Sequence, residues 1–157
     1  MDRDKKCTVD AYMTKKVVTV TKDATFADAA KAMIDNKTNG AVVVDDNKKV
    51  VGILSSWDLI QYVVPDYLEA DKHLAAFESA DVFAKRVHAV KDAPISKFMS
   101  KHVHSTKPED SIMEAATLLS EFRIRQLPVV DDAGVLVGYI NRTDIKRAIG
   151  EVLGLSE

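Results

Sequence analysis

Residues 41–58 read AVVVDDNKKVVGILSSWD, and residues 127–144 read LPVVDDAGVLVGYINRTD. The two segments align without a gap at a constant offset of 86 residues. Each has an apolar run ending in Val-Val-Asp-Asp, a turn, a second apolar run containing glycine, and an aspartate six residues after that glycine. Two copies of a long unit predict a pair of similar modules rather than a solenoid, because stacked arrays usually need three or more short units to bury a continuous core.

The repeat extends beyond these segments, from residues 13–60 onto residues 99–146, and 12 of the 48 paired positions are identical. The identities include Met13/Met99, Ala29-Ala30/Ala115-Ala116, Gly52/Gly138 and Asp58/Asp144. Any structural interpretation of one copy can therefore be checked against the other.

The hydrophobic period changes in the same order within each copy. A short β-branched run is followed by Thr25 or Ser111, each with an acid three residues later, a capping-box pattern typical of a helix start. Apolar residues then recur at helical spacing, and two apolar runs joined by Asp-rich turns predict a hairpin. A closing helix is expected from Ser56 and from Arg142. We therefore predict an α/β protein with two units related by a pseudo-twofold, each a three-stranded sheet with two helices in the order β-α-β-β-α.

The repeats also suggest domain boundaries: a first unit at 9–64, a helical linker at 65–93 and a second unit at 94–153. Pro65 is expected to end the first closing helix, because its ring removes a backbone donor. Residues 66–90 permit an amphipathic helix, interrupted near Ser79. This segment either covers exposed core or forms a dimer contact, or it offers a docking surface to another protein.

Composition limits the classes of partner. The 157 residues are 46% hydrophobic and 29% charged with a net charge of −2, so no global basic field attracts nucleic acid or an anionic membrane. No apolar run reaches roughly 18 residues, and the charged start at residues 2–6 lacks the apolar core of a signal peptide. The single cysteine, Cys7, cannot form an internal disulfide. We expect a cytoplasmic protein.

The strand-to-helix junctions carry the residues with chemical potential. Amides at a helix start favour an anion, an acid in the first turn can accept bonds from a vicinal diol such as ribose, and the glycine leaves room for a ligand. Ser55 or Asn141 can hold a sugar or phosphate oxygen. The alternative is a plain N-cap, since Ser, Asn and Asp all favour a helix start without any ligand.

In both copies the chain resembles the paired modules named after cystathionine β-synthase, called CBS domains. The resemblance rests on the Met-then-β-branched opening, the Ala-Ala helix, the strand ending in Val-Val-Asp-Asp and the Gly-x-x-Ser/Asn-x-x-Asp junction, in this order and twice. It implies a sensor of adenosine nucleotides, with the ligand held in clefts between the two units. The ligands implied are AMP, ADP, ATP, S-adenosylmethionine or NAD.

The resemblance also assigns roles by position. Asp58 and Asp144 would accept the ribose hydroxyls, with Ser55 and Asn141 as neighbours. The remaining candidates are Thr19 and Ser105 beside the nucleoside, backbone around Ala41 and Leu127 at the base edge, Val18 and Val42 sandwiching the base, and Asn39, Arg125 and Arg142 near the phosphates. The family places basic residues before the second strand, where the first copy has Asn39 and the second has Arg125. We therefore expect unequal sites, with the Asp58 cleft better formed for the nucleoside and the Arg125 side for phosphate.

A chain of this kind is expected to be a regulatory module and a homodimer, passing its signal to a further copy or to an unidentified protein partner. The alternative is an interaction module whose clefts bind nothing. A small nucleotide hydrolase is a third class, but the sequence supplies neither a base nor a metal set. His102 and His104 have a spacing compatible with a metal, but no third ligand is indicated. Trp57 would either stack on a ligand or pack against the linker. We predict no catalytic and no metal-ligating residue.

Overall fold

The computed structural model describes residues 7–78, 80–122 and 124–155, so the charged start at 2–6 and the interruption expected near Ser79 lie outside the described residues. The helices and strands follow in the order α1 (Val9–Tyr12), β1 (Thr19–Thr21), α2 (Phe26–Asp35), β2 (Gly40–Val44), β3 (Val50–Ser55), α3 (Ser56–Val63), α4 (Asp66–Ala70), a 3₁₀ helix (Lys72–Phe77), α5 (Val82–Val90), a 3₁₀ helix (Ile95–Lys97), α6 (Ile112–Glu121), β4 (Gln126–Val130), β5 (Leu136–Asn141) and α7 (Arg142–Val152).

The repeat in the sequence is also a repeat in the structure. Helices α2 and α6, strands β2 and β4, and strands β3 and β5 begin and end at residues 86 positions apart. The closing helices begin at Ser56 and Arg142, as predicted. The α/β fold is thus confirmed, with helices and hairpins in the expected order.

Capping residues fix where α2 and α6 begin. Thr25 Oγ1 accepts the Asp28 N–H at 3.2 Å, and Asp28 Oδ2 accepts the Thr25 N–H at 2.9 Å. Ser111 and Glu114 make the same reciprocal pair at 3.1 and 2.7 Å. Both predicted capping boxes are therefore present, each satisfying two backbone donors that a helix start leaves without partners.

The two copies differ in their first strand. The sheet of the first copy has the order β1-β2-β3, whereas the second copy has the antiparallel pair β4-β5 and, at the first-strand position, only a parallel bridge from Thr106 to Val129. In the first copy the Val42 N–H donates to the Val18 carbonyl at 3.0 Å. The position equivalent to Val42 is Pro128, which has no N–H, so the corresponding bond cannot form.

The chain divides into two compact units, which we call unit A and unit B. Unit A comprises Val18–Val43 and Gly52–Lys101, and unit B comprises residues up to Val17, Val44–Val51 and residues from His102 onward. The residues just before each copy and its first residues therefore pack with the other copy. The bridges Thr8–Ser111 and Thr14–Tyr139 lie in unit B, and their equivalents Thr25–Pro94 and Ile53–Ser100 lie in unit A. The boundaries 9–64, 65–93 and 94–153 stay a prediction.

Each unit has its own apolar core. In unit B the core consists of residues from α1, α6, β4, β5 and α7, namely Val9, Tyr12, Ala115, Leu119, Leu127, Val129, Ile140 and Ala148. In unit A a smaller cluster contains Phe26, Val63 and Val90, and the rings of Tyr62 and Phe98 stack beside it with centroids 4.6 Å apart.

The linker forms α4, a 3₁₀ helix and α5 rather than one helix. Helix α3 ends at Val63, two residues before Pro65, as expected. Val87 of α5 packs against the unit A cluster, but Phe83 is 70% exposed. An apolar groove of about 560 Å³ lies between α3 and the linker, including α5. No helix among the described residues combines the length and the hydropathy that crossing a membrane requires.

Candidate functional site

The junction between β3 and α3 in unit A positions Ser55 and Asp58. Asp58 Oδ2 accepts the Ser55 backbone N–H at 2.7 Å and the Ser55 hydroxyl at 3.1 Å. Both residues are half-buried. The carboxylate is therefore held in a fixed position at the N-terminus of a helix, where the helix dipole stabilises its negative charge.

The junction between β5 and α7 in unit B is built in the same way. Asp144 Oδ2 accepts the Asn141 N–H at 2.9 Å, and Asn141 Oδ1 accepts the Asp144 N–H at 3.0 Å. Both junctions therefore have the hydrogen bonds of a capping box, as the plain N-cap interpretation predicts. The acid at this position in α2, Asp28, forms the same box although no ligand is predicted there, so a cap alone does not indicate a ligand.

The surroundings of the two carboxylates differ. Asp144 is 7% exposed, and its Oδ1 faces the Thr14 hydroxyl at 3.5 Å and Arg147 Nη2 at 3.6 Å. Burial raises the pKa of Asp144, while the bond from Asn141, the positive charge of Arg147 and the Thr14 hydroxyl act in the opposite direction. Asp58 is more accessible, and the position equivalent to Arg147 is the uncharged Gln61.

The other candidate residues of the first copy lie in unit A. The Asn39 carbonyl accepts the Ser56 N–H at 2.9 Å, which places Asn39 beside the Asp58 junction. Val18 pairs with Val42 through the backbone, as described above. Thr19 and Asn39 are exposed, Val18 is half-buried, and Ala41 and Val42 are each 1% exposed. Thr19 and Asn39 therefore present more surface to solvent than Ala41 and Val42 do.

The candidates of the second copy lie in unit B. The Arg125 carbonyl accepts the Arg142 N–H at 3.3 Å, the equivalent of the Asn39–Ser56 bond. Ser105, Arg125 and Arg142 are exposed, and Leu127 is fully buried. Two cations therefore lie at the start of α7, where the equivalent residues at α3 are uncharged.

Four further residues singled out in the sequence, His102, His104, Trp57 and Cys7, have no defined role. The His104 ring stacks on Phe122 with centroids 3.7 Å apart, and the His102 ring lies 5.3 Å from that of His104. In the described parts of the chain, no three His, Cys, Asp or Glu residues are grouped so that they could hold a metal ion. Trp57 is 56% exposed, and Cys7 is exposed.

The sequence did not predict Thr14 and Arg147, which face Asp144, or Tyr12, which binds Arg147. Arg147 donates from Nη2 to the Tyr12 carbonyl at 2.8 Å and lies 5.8 Å above the Tyr12 ring. Their only trace in the sequence is a difference between the copies, because Arg147 is matched by Gln61 and Tyr12 by Phe98.

Known proteins resemble this chain in sequence and in fold. The profile of the CBS domain matches residues 9–65 and 90–151, more than half of the chain. CBSX2 of Arabidopsis thaliana, solved in complex with AMP, superimposes on this chain with a TM-score of 0.72 and is 26% identical to it. The superposition covers 94% of this chain and 98% of the CBSX2 chain.

A second solved structure is similar over nearly its whole length. The CBS domain pair of protein MJ0100, in complex with 5′-methylthioadenosine and S-adenosyl-L-methionine, has a TM-score of 0.69 at 25% identity over 92% of this chain and 97% of its own. Homoserine O-acetyltransferase of Methanosalsum zhilinae is 28% identical over 143 residues, which are 91% of this chain and 24% of that enzyme. The chain thus spans about a quarter of the length of this enzyme.

Proposed function

Because the chain belongs to the CBS-domain family, we propose that it is a regulatory module that reversibly binds an adenosine-containing ligand. The observation that carries the proposal is the likeness of nearly the whole chain to CBS pairs solved with AMP and with S-adenosyl-L-methionine, and Asp58 at the N-terminus of α3 is the carboxylate to which we assign the ribose. Two relatives that match this chain over nearly their whole length bind AMP or S-adenosyl-L-methionine, according to their solved complexes.

The ribose is assigned to Asp58. A carboxylate accepts hydrogen bonds only, and two adjacent hydroxyls donate to it without the cost of an unpaired donor. Since Oδ2 already serves the cap, the diol would use the remaining acceptor capacity of the carboxylate. Thr19 on β1 and Val18 just before it would border the nucleoside, and the backbone near Ala41 would read the base.

The phosphates are assigned to Arg125 and Arg142. Guanidinium groups suit phosphate oxygens because they present paired donors in a plane. Both residues are exposed, and they are neighbours because the Arg142 N–H donates to the Arg125 carbonyl. A ligand with phosphates should therefore depend on these cations more than a ligand without them.

The output of such a module is a change in conformational equilibrium. A ligand shifts two arrangements only by the difference in its affinity for them, and coupling of about 1–3 kcal/mol is typical. We assign no catalytic step to this chain. The transferase activity named for its longer relatives would reside in the parts that this chain does not match.

A module that only dimerises is the second candidate, favoured by the apolar end of α7. Ile149, Val152 and Leu153 are 56%, 83% and 65% exposed. A second copy would cover such a surface in a closed twofold dimer, the commonest assembly of like chains. This candidate predicts dimerisation with no response to any adenosine ligand.

Calorimetry separates the two. The wild-type protein is titrated with AMP, ATP, NAD and S-adenosylmethionine, and then compared with Asp58→Ala and with Asp28→Ala. Asp28 is the matched control because it occupies the same position in a capping box at α2. We expect Asp58→Ala to weaken the best ligand by about tenfold or more, as removal of a charged acceptor does, and Asp28→Ala to leave affinity unchanged. Equal affinity in all three proteins, or no binding to the wild type, would contradict the proposal.

A further inference from the structure

Three side chains join α1 to α7 beside Asp144. The Tyr12 hydroxyl donates to Glu151 Oε2 at 2.7 Å, and Arg147 Nη2 donates to the Tyr12 carbonyl at 2.8 Å. The same Arg147 nitrogen lies 3.6 Å from Asp144 Oδ1. Arg147 therefore binds α1 and screens the Asp144 carboxylate at the same time.

This arrangement restricts access to the carboxylate. The Asp144 side chain is only 9% exposed, and Thr14 and Arg147 are the groups that face Oδ1. A hydroxyl must approach to about 2.5–3.0 Å to donate to a carboxylate oxygen. A ribose diol therefore cannot reach Asp144 unless Arg147 or Thr14 moves away.

The first copy lacks this arrangement. The positions equivalent to Tyr12, Arg147 and Glu151 are Phe98, Gln61 and Pro65, none of which can form an ion pair. Phe98 instead stacks on Tyr62. Asp58 is correspondingly more accessible than Asp144.

We infer that Arg147, held by Tyr12, is an autoinhibitory residue that closes the Asp144 site to the ribose of an adenosine ligand. This inference rests on the proposed function and deepens it. The wild-type chain takes its ligand at Asp58, and the Asp144 site opens when Arg147 gives up its contacts. Because one of those contacts is the Tyr12 carbonyl, opening the site also loosens α1 from α7.

The test is a gain of binding in a protein that has lost its first site. AMP is titrated calorimetrically into Asp58→Ala, and then into Asp58→Ala combined with Arg147→Gln, which copies Gln61 of the other repeat. The matched control combines Asp58→Ala with Lys146→Gln, which removes the neighbouring exposed cation of α7. We expect Arg147→Gln to raise AMP affinity at least about tenfold over Asp58→Ala, within the usual range of coupling, and Lys146→Gln to change nothing. Adding Asp144→Ala should abolish the gain.

Removing Arg147 also removes the counter-charge of a buried carboxylate, so folding is checked by thermal unfolding. If Arg147→Gln does not fold, Arg147→Lys keeps the charge but not the planar fork, and it should show a smaller gain of the same sign. The inference is overturned if folded variants gain no affinity, or if Asp58→Ala retains binding that Asp144→Ala removes. A wild type that binds none of the ligands overturns the proposed function; the single variant Arg147→Gln then decides the inference, which fails if that variant also binds no AMP.

Discussion

The Met99 sulfur lies against Gly52 so closely that a Cβ on Gly52 would be 2.6 Å from Met99 Sδ. The same contact occurs in unit B, where a Cβ on Gly138 would be 3.0 Å from Met13 Sδ. Each glycine thus contacts the methionine that begins the other copy. Sequence reasoning attributed the glycine to space for a ligand, whereas in the structure the space holds a methionine.

Gly52→Ala should destabilise the protein by about 1 kcal/mol, at the low end of overpacking costs, because the thioether can move. Chemical denaturation measures the change. In a double-mutant cycle with Met99→Ala, the cost of the added methyl group should largely vanish, since the three atoms nearest to that Cβ all belong to Met99. Additive effects of the two substitutions would mean that the methionine does not fill the space.

Gly138→Ala should cost more, about 2–3 kcal/mol, because the nearest atom is a backbone oxygen. A Cβ there would be 2.9 Å from the Thr14 carbonyl, which already accepts the Tyr139 N–H at 2.9 Å. To relieve this clash, the hydrogen bond between Thr14 and Tyr139 would have to break. A Gly138→Ala protein as stable as Gly52→Ala would show that the bridge is dispensable.

Local signals predicted the repeating elements because each element depends on residues close in sequence. Thr25 with Asp28 and Ser111 with Glu114 form the predicted boxes, and Ser56 and Arg142 begin the predicted helices. Such caps depend on residues three positions apart, so a sequence shows them directly. The shortened first strand of the second copy was also readable in principle, from Pro128 at the position of Val42.

Contacts between residues far apart in the chain could not be predicted from the sequence. Nothing near Thr14 indicates that it pairs with Tyr139, 125 positions away, or that α1 packs with the second copy. The candidate site was therefore predicted as two similar junctions, and the difference in burial between Asp58 and Asp144 emerged only from the structure. The roles assigned to Asp58, Asp144 and their neighbours remain predictions.

Tyr12→Phe should destabilise the protein by about 1 kcal/mol, the usual contribution of a hydrogen bond. The hydroxyl donates to Glu151 at 2.7 Å in a partly buried bond, and Tyr12 is 9% exposed, so water replaces the lost bond less readily than at an exposed tyrosine.

Tyr67→Phe is the matched control for Tyr12→Phe. Its hydroxyl bonds Glu78 at 2.6 Å, but Tyr67 is 49% exposed, so water can replace the bond and the change should stay within about 0.5 kcal/mol. Thermal and urea unfolding of both variants measure the difference. Equal costs would argue that Tyr12 does not hold α1 against α7.

Asp144→Asn should become more favourable relative to wild type as the pH rises. Burial raises the pKa of Asp144 above its unfolded value, so the folded state binds the proton more tightly than the unfolded chain does. The resulting stability is fully present below the unfolded pKa and is lost as the pH rises through the folded pKa. Asparagine does not titrate, so the variant does not lose this stability as the pH rises. Its side-chain oxygen can still accept the Asn141 N–H.

Urea unfolding from about pH 4 to pH 7 tests this, starting near the usual pKa of aspartate. We expect the free energy of unfolding of Asp144→Asn, minus that of wild type, to increase across this range. Asp58→Asn makes the same exchange at the equivalent, more accessible position and is the control for the loss of a carboxylate at a helix start. A difference that stays constant or falls with pH would mean that Arg147 and Asn141 fully compensate the burial of the Asp144 charge.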